Sequence, residues 1–291
     1  MKKLVGIIEN QQRHWVGDGF PVRSLFSYHG DTESISPFLL FDYAGPWQFD
    51  PREGRPRGVG QHPHRGFETV TIVYDGEVSH RDSTGGGGTI GAGDVQWMTA
   101  GSGILHEEYH SPGYSKTGGP FRMVQLWVNL PAKDKGTPPA YQALTAAMIP
   151  TVTFDGGKAQ IVAGTFANTS GPARTFTPVN LWDVRLNAAT DTVLPLPAGH
   201  TSMIAVLSGH VTIEPNTAGE GVGEGEIARL STAGEGVHIR ADGDAMLLVL
   251  TGEPIDEPVV GHGPFVMNTE AEIQDAIVDF NAGRFGQMAP A

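Results

Sequence analysis

Two pairs of polar residues in this sequence have the types and the spacing of metal ligands. One residue separates His62 from His64, and one residue separates His106 from Glu108. Residues two apart in a β-strand project from the same face, so each pair can direct both side chains into one interior. Two neighbouring strands would then bring three imidazoles and one carboxylate together. Such a set leaves two positions of a six-coordinate metal ion open, which is typical of a reactive site rather than a purely structural one.

An internal repeat indicates which part of the chain positions these residues. Residues 99–103 (TAGSG) recur as residues 232–236 (TAGEG), at an offset of 133 residues. The same offset places residues 73–76 (VYDG) on residues 206–209 (VLSG). Because two separated segments share one offset, the sequence predicts two copies of one β-rich unit.

The second copy lacks every candidate ligand. The offset aligns the four candidates with apolar residues, in order Pro195, Pro197, Ile239 and Ala241. A single histidine is more often an exposed loop residue or a hydrogen-bonded core residue than a ligand. The joint loss of all four positions instead indicates one copy that binds a metal and one that does not.

The repeat also predicts the domain organisation. We expect an N-terminal metal-binding domain over residues 1–140, a C-terminal domain without metal ligands over residues 150–262, and a final segment over residues 263–291. A chain of 291 residues is long for one domain, which agrees with this division.

Most of the expected elements are strands. Glycine (40) and proline (21) are frequent, and charged residues make up only 18% of the chain, which suits short strands joined by tight turns in a sandwich or barrel. A helix is expected at about residues 270–283, because Thr269 and Glu272 form a capping box ahead of an apolar stripe that should pack. Strand-type runs bounded by turn residues lie at 67–74, 95–98, 124–130, 203–207, 211–214 and 245–250.

Composition excludes several classes of site and partner. The chain has no cysteine, so a metal would depend on histidine and carboxylate ligands. A net charge of -13 argues against binding nucleic acid or an anionic membrane through a broad basic surface. The apolar run after Lys2 and Lys3 is too short for a signal peptide, and no run is long enough to cross a bilayer. We therefore expect a cytoplasmic protein, and a monomer because no feature indicates an interface.

Four segments resemble the pirin family, a group of two-domain proteins of the cupin superfamily. They are residues 61–70 (QHPHRGFETV), 96–106 (QWMTAGSGILH), 126–130 (LWVNL) and 261–268 (GHGPFVMN). The first two segments contain the more general cupin motifs, although the first motif has one extra residue before Gly76 and the second has glycine where proline is common. The resemblance spans nearly the whole chain and rests on long motifs.

The resemblance implies a fold and a ligand set. It implies two tandem, jelly-roll-like cupin barrels with a C-terminal helix, and one iron in the N-terminal barrel. The three histidines and one glutamate that hold iron in the family match His62, His64, His106 and Glu108 without departure. Iron as Fe(II) is therefore the expected cofactor, while Mn, Co, Ni, Cu and Zn bind similar ligand sets.

Other acidic residues and histidines near the motifs have alternative roles. In ordinary cupins the glutamate of the first motif can be a ligand, which would nominate Glu68; in pirins the ligand comes from the second motif, so Glu68 is left as a candidate partner of a ligand. Glu107 should point away from the site because it alternates with Glu108. We expect His80 and His110 to be polar surface or turn residues.

The resemblance further implies an activity, with two alternatives. Bacterial pirin-like proteins are often quercetinases, which open a flavonol ring with O2. In that reaction Glu108 would accept the proton of the flavonol 3-hydroxyl, and Phe41, Trp97 and Trp127 are candidates for contacting the flat aromatic substrate. The first alternative is an iron-binding, redox-sensitive regulator that acts through protein partners, as pirins of animal cells are thought to act. The second is a metal-dependent enzyme with another small substrate.

Overall fold

A computed structural model describes residues 1–214 and 221–289 of the chain. The first half contains β1 (Leu4–Glu9), β2 (His14–Val16), β3 (Phe20–Ser27), α1 (Thr32–Ile35), β4 (Phe38–Phe49), β5 (Gly58–His64), β6 (Phe67–Asp75), β7 (Val78–Asp82), β8 (Gly87–Ile90), β9 (Val95–Thr99), β10 (Ile104–His110), α2 (Pro112–Thr117), β11 (Gly119–Asn129), a 3-10 helix (Ala132–Asp134) and β12 (Ala140–Leu144). The second half contains β13 (Thr151–Phe154), β14 (Gly157–Ala163), β15 (Thr165–Phe166), β16 (Thr169–Ser170), β17 (Val179–Leu186), β18 (Thr190–Pro195), β19 (Thr201–Ser208), β20 (His210–Glu214), β21 (Val222–Gly223), β22 (Glu226–Leu230), β23 (Gly236–Ala241), β24 (Ala245–Gly252), β25 (Val260–His262), β26 (Phe265–Met267) and α3 (Glu270–Asn281).

The N-terminal barrel consists of two antiparallel sheets. It comprises Gln12–Thr32, Phe38–Ala146 and the described residues from Ile255 onward. One sheet has the strand order β12-β9-β6-β11-β4-β3-β2, and the other has the order β5-β10-β7-β8. Each sheet can bury one face because side chains alternate between faces along a strand.

One end of this barrel is filled by an apolar cluster. Strand β11 contributes Phe121 and Met123, two residues apart, and β6 and β7 contribute Val73 and Val78 to the same cluster. Phe121 and Val78 are fully buried. Burying side chains of this size stabilises a fold by roughly 1.5–3 kcal/mol each, so the cluster holds the two sheets together next to the polar residues described below.

The C-terminal barrel repeats the same plan. It comprises Met1–Gln11, Glu33–Pro37 and Ala147–Pro254. Its sheets have the orders β1-β22-β19-β24-β17-β14-β13 and β18-β23-β20-β21. The four strands β5, β10, β7 and β8 of the first unit thus correspond to β18, β23, β20 and β21. The predicted all-β fold with two tandem cupin domains is confirmed, and so are the six strand-type runs found in the sequence.

The aligned positions of the second barrel are packed with apolar side chains. Ile239 and Ala241, which the repeat aligns with His106 and Glu108, are fully buried in its hydrophobic core. The same backbone plan therefore encloses a hydrocarbon core in one unit and a polar cluster in the other.

Two segments, one from each end of the chain, group with a different barrel from the one that their position in the sequence suggests. Strand β1 lies at the start of the chain, yet it pairs with β22 of the C-terminal barrel. The residues from Ile255 onward group with the N-terminal barrel. The domain boundaries at residues 140, 150 and 262 stay a prediction. To that division the structure adds that β1 belongs to the C-terminal barrel and that the residues from Ile255 onward belong to the N-terminal barrel.

The C-terminal helix forms where the sequence predicts it. Helix α3 begins after Thr269, whose side chain accepts a hydrogen bond from the backbone N–H of Glu272, as expected for a capping box. Ile273 and Ala276 on its apolar face are buried in a cluster with Leu105 of β10. No helix in the described part of the chain is long and apolar enough to cross a membrane.

Gly66 fixes the contact between the loop after β5 and the C-terminal segment. Its φ is +90°, and a Cβ atom at this position would lie 2.0 Å from the carbonyl oxygen of Val266. The adjacent Arg65 donates its backbone N–H to Pro264 and accepts one from Val266. Only glycine permits the backbone of Val266 to approach so closely at this position, two residues after His64.

We predict that Gly66→Ala lowers the free energy of unfolding by about 3–4 kcal/mol, because it combines backbone strain with an overlap against Val266. Gly54→Ala is the matched control: its φ is +82° but no atom lies within 4 Å of the added Cβ. That control should cost only about 1 kcal/mol of backbone strain. Urea denaturation of both variants measures the difference, and equal losses would contradict the close contact.

Candidate metal centre

Strand β10 lies between β5 and β7, and one of its faces carries candidate ligands. His106 pairs with His62 on β5 and with Asp82 on β7. Glu108 pairs with His80 on β7. Directly paired residues of antiparallel strands project to the same face, so the three strands contribute to one polar cluster inside the barrel.

Three of the four predicted ligands form one compact group. The candidate donor atoms of His62, His64 and His106 all lie within 4.8 Å of one another. His64 and His106 are buried, and His62 is half-buried. The ring centroid of His106 lies 4.1 Å from that of His62 and 4.7 Å from that of His64. The structure thus brings the H-x-H pair of β5 against the first residue of the H-x-E pair.

Hydrogen bonds determine which ring nitrogen of His62 and His64 carries a lone pair. The Nδ1–H of His62 donates to the carbonyl oxygen of Gly60 at 2.8 Å, which leaves the lone pair on Nε2. The ring of His64 donates to the carbonyl of Pro264. Its Nδ1 is buried without a protein partner, so the lone pair lies there.

His106 also presents a buried nitrogen without a protein partner. Its Nε2 makes no hydrogen bond, while its Nδ1 lies 3.3 Å from the Nδ1 of His80. A buried polar atom without a partner is costly unless something else binds it. Lone pairs from three imidazoles in one group fit a metal ion, and this donor set suits Fe, Ni, Cu or Zn.

The electrostatics of His64 and His106 favour the neutral imidazole. Burial lowers the pKa of His64 well below 6.5, and the nearby His62 lowers it further. Burial likewise lowers the pKa of His106, with His64 and His62 adding to the effect. Neutral imidazole is the form that binds a metal.

Glu108 lies beside this group rather than within it. Its carboxylate accepts hydrogen bonds from Gln96 at 3.0 Å and from Gln125 at 3.1 Å, one at each oxygen. With His80 and His106 it forms a second group of donor atoms within 4.8 Å of one another. The four-ligand set of His62, His64, His106 and Glu108 therefore stays a prediction, with Glu108 oriented by two neutral amides.

The two other glutamates face away from the cluster. Glu107 accepts a hydrogen bond from Nε of Arg81 at 2.8 Å on the opposite face of β10, which confirms the predicted alternation. Glu68 accepts a hydrogen bond from the hydroxyl of Thr99 at 2.7 Å. It projects from the face of β6 opposite to Thr71, which lies 3.4 Å from Glu108. Glu68 is therefore not placed to support the histidine group.

The prediction that His80 and His110 are surface or turn residues is wrong. Each is only 1% exposed. His110 donates its Nε2–H to the carbonyl of Gly19 at 2.9 Å and packs between Phe49 and Phe121. Both residues lie on the inward faces of their strands, where the barrel provides a partner for each ring.

His80 belongs to the polar cluster, together with Asp82. The Nε2 of His80 lies 3.2 Å from a carboxylate oxygen of Asp82, and its ring stacks on Tyr141. Burial alone would raise the pKa of Asp82, but hydrogen bonds from His80 and Thr84 lower it to about 2. The signal in the sequence was His80-x-Asp82, an H-x-D pair with the same spacing as the other two pairs.

Of the three aromatic residues expected near the site, only Trp127 contacts one of the histidines. Its ring centroid lies 5.2 Å from that of His64, and it stacks on Phe67. Phe41 packs on Phe26 instead. Trp97 is fully buried and follows Gln96, so it projects from the opposite face of β9.

We predict that Glu68 makes the stability depend on pH. Burial raises the pKa of its carboxyl to about 7, so the folded state retains a proton that the unfolded state loses near its ordinary pKa of about 4.3. The contribution of the protonated Glu68 carboxyl to the free energy of unfolding is therefore present at low pH and is lost as the pH rises towards 7. The free energy of unfolding of Glu68→Gln, measured relative to the wild type, should therefore rise by up to about 3 kcal/mol from pH 4 to pH 8.

Urea denaturation at several pH values measures this change. Glu53→Gln is the control because Glu53 is exposed on a loop, and its difference from the wild type should stay constant with pH. A constant difference for Glu68→Gln would show that burial does not raise its pKa.

Comparisons with known proteins agree with this architecture. Residues 19–128 match the family model described as Pirin, and residues 181–286 match the Pirin C-terminal cupin domain. A Pseudomonas aeruginosa relative, 56% identical over 98% of this chain and 99% of its own, carries the name of quercetin 2,3-dioxygenase provisionally. A crystal structure described as quercetin 2,3-dioxygenase from Acinetobacter baumannii is 52% identical and covers 99% of both chains with a TM-score of 0.94. Pirin from Rattus norvegicus is 38% identical over 98% of this chain and 94% of its own. The chain therefore belongs to the pirin family of two-domain cupin proteins.

Proposed function

We propose that the protein is a metal-dependent dioxygenase of the quercetinase type, which opens a flavonol ring with O2. The observation that carries this proposal is the group of three imidazoles whose candidate donor atoms lie within 4.8 Å of one another, two of them with a buried nitrogen that makes no hydrogen bond. A carboxylate beside the group supplies a proton acceptor. The similarity to quercetin 2,3-dioxygenase of Acinetobacter baumannii supports flavonol as the substrate class.

We assign the metal ligands to His62, His64, His106 and Glu108, with Fe(II) as the first candidate and Mn, Co, Ni, Cu or Zn as others. When bound, a divalent metal would act as a Lewis acid that lowers the pKa of the substrate hydroxyl. The fixed ring nitrogens suit this role, because His62 and His64 are each held by a backbone carbonyl on the side away from the free lone pair.

Glu108 is the residue to which we assign proton transfer. Gln96 and Gln125 donate to its two oxygens, so the carboxylate is oriented by neutral groups and not neutralised by a cation. An ionised carboxylate accepts protons and hydrogen bonds only, so Glu108 can take the proton of a phenolic hydroxyl. If Glu108 dissociated from its proposed position as a metal ligand, its carboxylate oxygen would be available to accept this proton.

Trp127 is the aromatic residue that we assign to the substrate side, and the fully buried Phe67 supports it. They stack on each other at 4.2 Å between ring centroids, and both rings contact His64. The ring of Trp127 supplies apolar surface beside His64, which suits a flat aromatic molecule.

We predict that protein loaded with Fe(II) consumes quercetin and O2 and releases carbon monoxide. Glu108→Gln keeps the size of the side chain but removes the proton acceptor, so turnover should fall roughly 10²–10⁴-fold. Glu107→Gln is the matched control, because Glu107 is the next residue and faces Arg81 on the other side of the strand; its turnover should stay near that of the wild type. Flavonol absorbance, O2 uptake and carbon monoxide are measured together.

Retained metal without loss of quercetin, tested with each of the candidate metals, would contradict the proposed activity. A substrate panel with O2 uptake would then detect other chemistry at the same site. Nothing in the described residues favours a regulator without catalysis, although animal pirin is among the relatives.

A further inference from the structure

A chain of three buried side chains leads from the β7–β8 turn to the histidine group. The carboxylate of Asp82 lies 3.2 Å from Nε2 of His80. The other nitrogen of that ring, Nδ1, lies 3.3 Å from Nδ1 of His106. The exposed fractions of Asp82, His80 and His106 are 3%, 1% and 0%. Water therefore does not compete for these hydrogen bonds, and their donors and acceptors must match within the protein.

The chemistry of the first member sets the direction of every hydrogen bond in this chain. An ionised carboxylate can only accept, so the Nε2 of His80 must carry the proton. The other oxygen of Asp82 accepts from the backbone and hydroxyl of Thr84 and from the backbone of Gly86, which fixes Asp82 as an acceptor. A neutral His80 then has its lone pair on Nδ1, and Nδ1–H of His106 donates to it.

Gln96 supports the same assignment independently. Its amide nitrogen lies 3.3 Å from Nδ1 of His80 and donates to Glu108 at 3.0 Å. An amide N–H needs an acceptor, so Nδ1 of His80 must be unprotonated. Two donors, from Gln96 and His106, therefore converge on the lone pair of His80.

These directions settle the tautomer of His106. With its proton on Nδ1, the lone pair lies on Nε2, which is the buried nitrogen that makes no hydrogen bond to the protein. We propose that Asp82 and His80 are positioning residues that hold His106 in the Nδ1–H tautomer, so that its Nε2 is available to a metal ion. This inference rests on the proposed metal site, but the tautomer itself does not depend on which reaction the site performs.

A direct ligand role for His80 is the competing interpretation. The donor atoms of His80, His106 and Glu108 also lie within 4.8 Å of one another. However, both nitrogens of His80 already have protein partners, whereas His64 and His106 each have a nitrogen with none. The hydrogen bonds therefore assign His80 to support and His106 to binding.

The C-terminal barrel provides an internal comparison. Strand pairing aligns His80 with Val211, because Ile213 pairs with Ile239 of β23 just as Asp82 pairs with His106 of β10. Val211 and Ile213 are both fully buried in the apolar core of that unit. The unit without candidate ligands also lacks this supporting histidine. A histidine needed only to pack against Tyr141 would not have to be lost together with the ligand positions.

The first test reads the tautomers directly in the metal-free, full-length protein. Long-range ¹H–¹⁵N NMR on histidine-labelled chain distinguishes Nδ1–H from Nε2–H, and the His80→Phe and His106→Ala variants assign the signals. We expect His80 as the Nε2–H tautomer and His106 as the Nδ1–H tautomer. The reverse tautomer at either residue would overturn the proposal, whether or not the protein turns over quercetin.

The second test measures metal binding after the chain is broken. His80→Phe keeps an aromatic ring against Tyr141 but removes both nitrogens, and it should weaken Zn(II) binding roughly 10–100-fold in competition with a chromophoric chelator. His110→Phe is the matched control, because His110 is equally buried in the same sheet and contacts none of the three residues. Its Zn(II) affinity should equal that of the wild type.

Pulsed electron paramagnetic resonance of the Cu(II)-loaded protein separates support from ligation. We expect the same number of coordinated imidazoles in the wild type and in His80→Phe. Loss of one imidazole would show that His80 is a ligand and would overturn the positioning role. Unchanged Zn(II) affinity in His80→Phe would also overturn it. If that variant does not fold, the tautomers of the wild type still decide the question.

Discussion

The interior of the N-terminal barrel is governed by one constraint: every buried polar atom needs a partner. Strand β10 directs His106 and Glu108 inward between β5 and β7, where water is excluded. Leaving such groups unpaired would cost several kcal/mol each. Amides, a carboxylate and backbone carbonyls surround the cluster for this reason. The nitrogens of His64 and His106 that lack a hydrogen-bond partner are informative because these residues also form one group with His62, with donor atoms within 4.8 Å of one another.

The same fold meets this constraint in two different ways. The C-terminal barrel has no polar side chains to satisfy at these positions, because Ile213, Ile239 and Ala241 lie where the first barrel has polar groups. Four-stranded sheets of the same order hold both arrangements. Strand order and the character of the interior are thus separable in this protein: strand order encloses the interior, and the inward residues of three strands decide whether that interior is polar or apolar.

Much of this was readable from the sequence, and the omissions have physical causes. Strand alternation and the repeat located His62, His64 and His106 and the fold around them. The burial of His80 could not be predicted from its spacing to Asp82, because it depends on the pairing of β7 with β10 inside the barrel. The pairing of β1 with β22 could not be predicted from periodicity, because the alternation of an edge strand of intermediate burial does not indicate which strand it pairs with. The position of Glu108 relative to the three imidazoles depends on the register shift between β10 and β5, which alternation does not encode.

The placement of the C-terminal segment has a consequence for the order in which the chain can fold. Arg65 pairs with residues near position 265, about two hundred positions later in the chain. Contacts so distant in sequence form slowly, because a long loop must close before they are made. During synthesis, the loop that follows His64 cannot acquire this support until the residues near position 265 have been made. The loop beside the candidate metal centre is then also the part of the barrel that matures last.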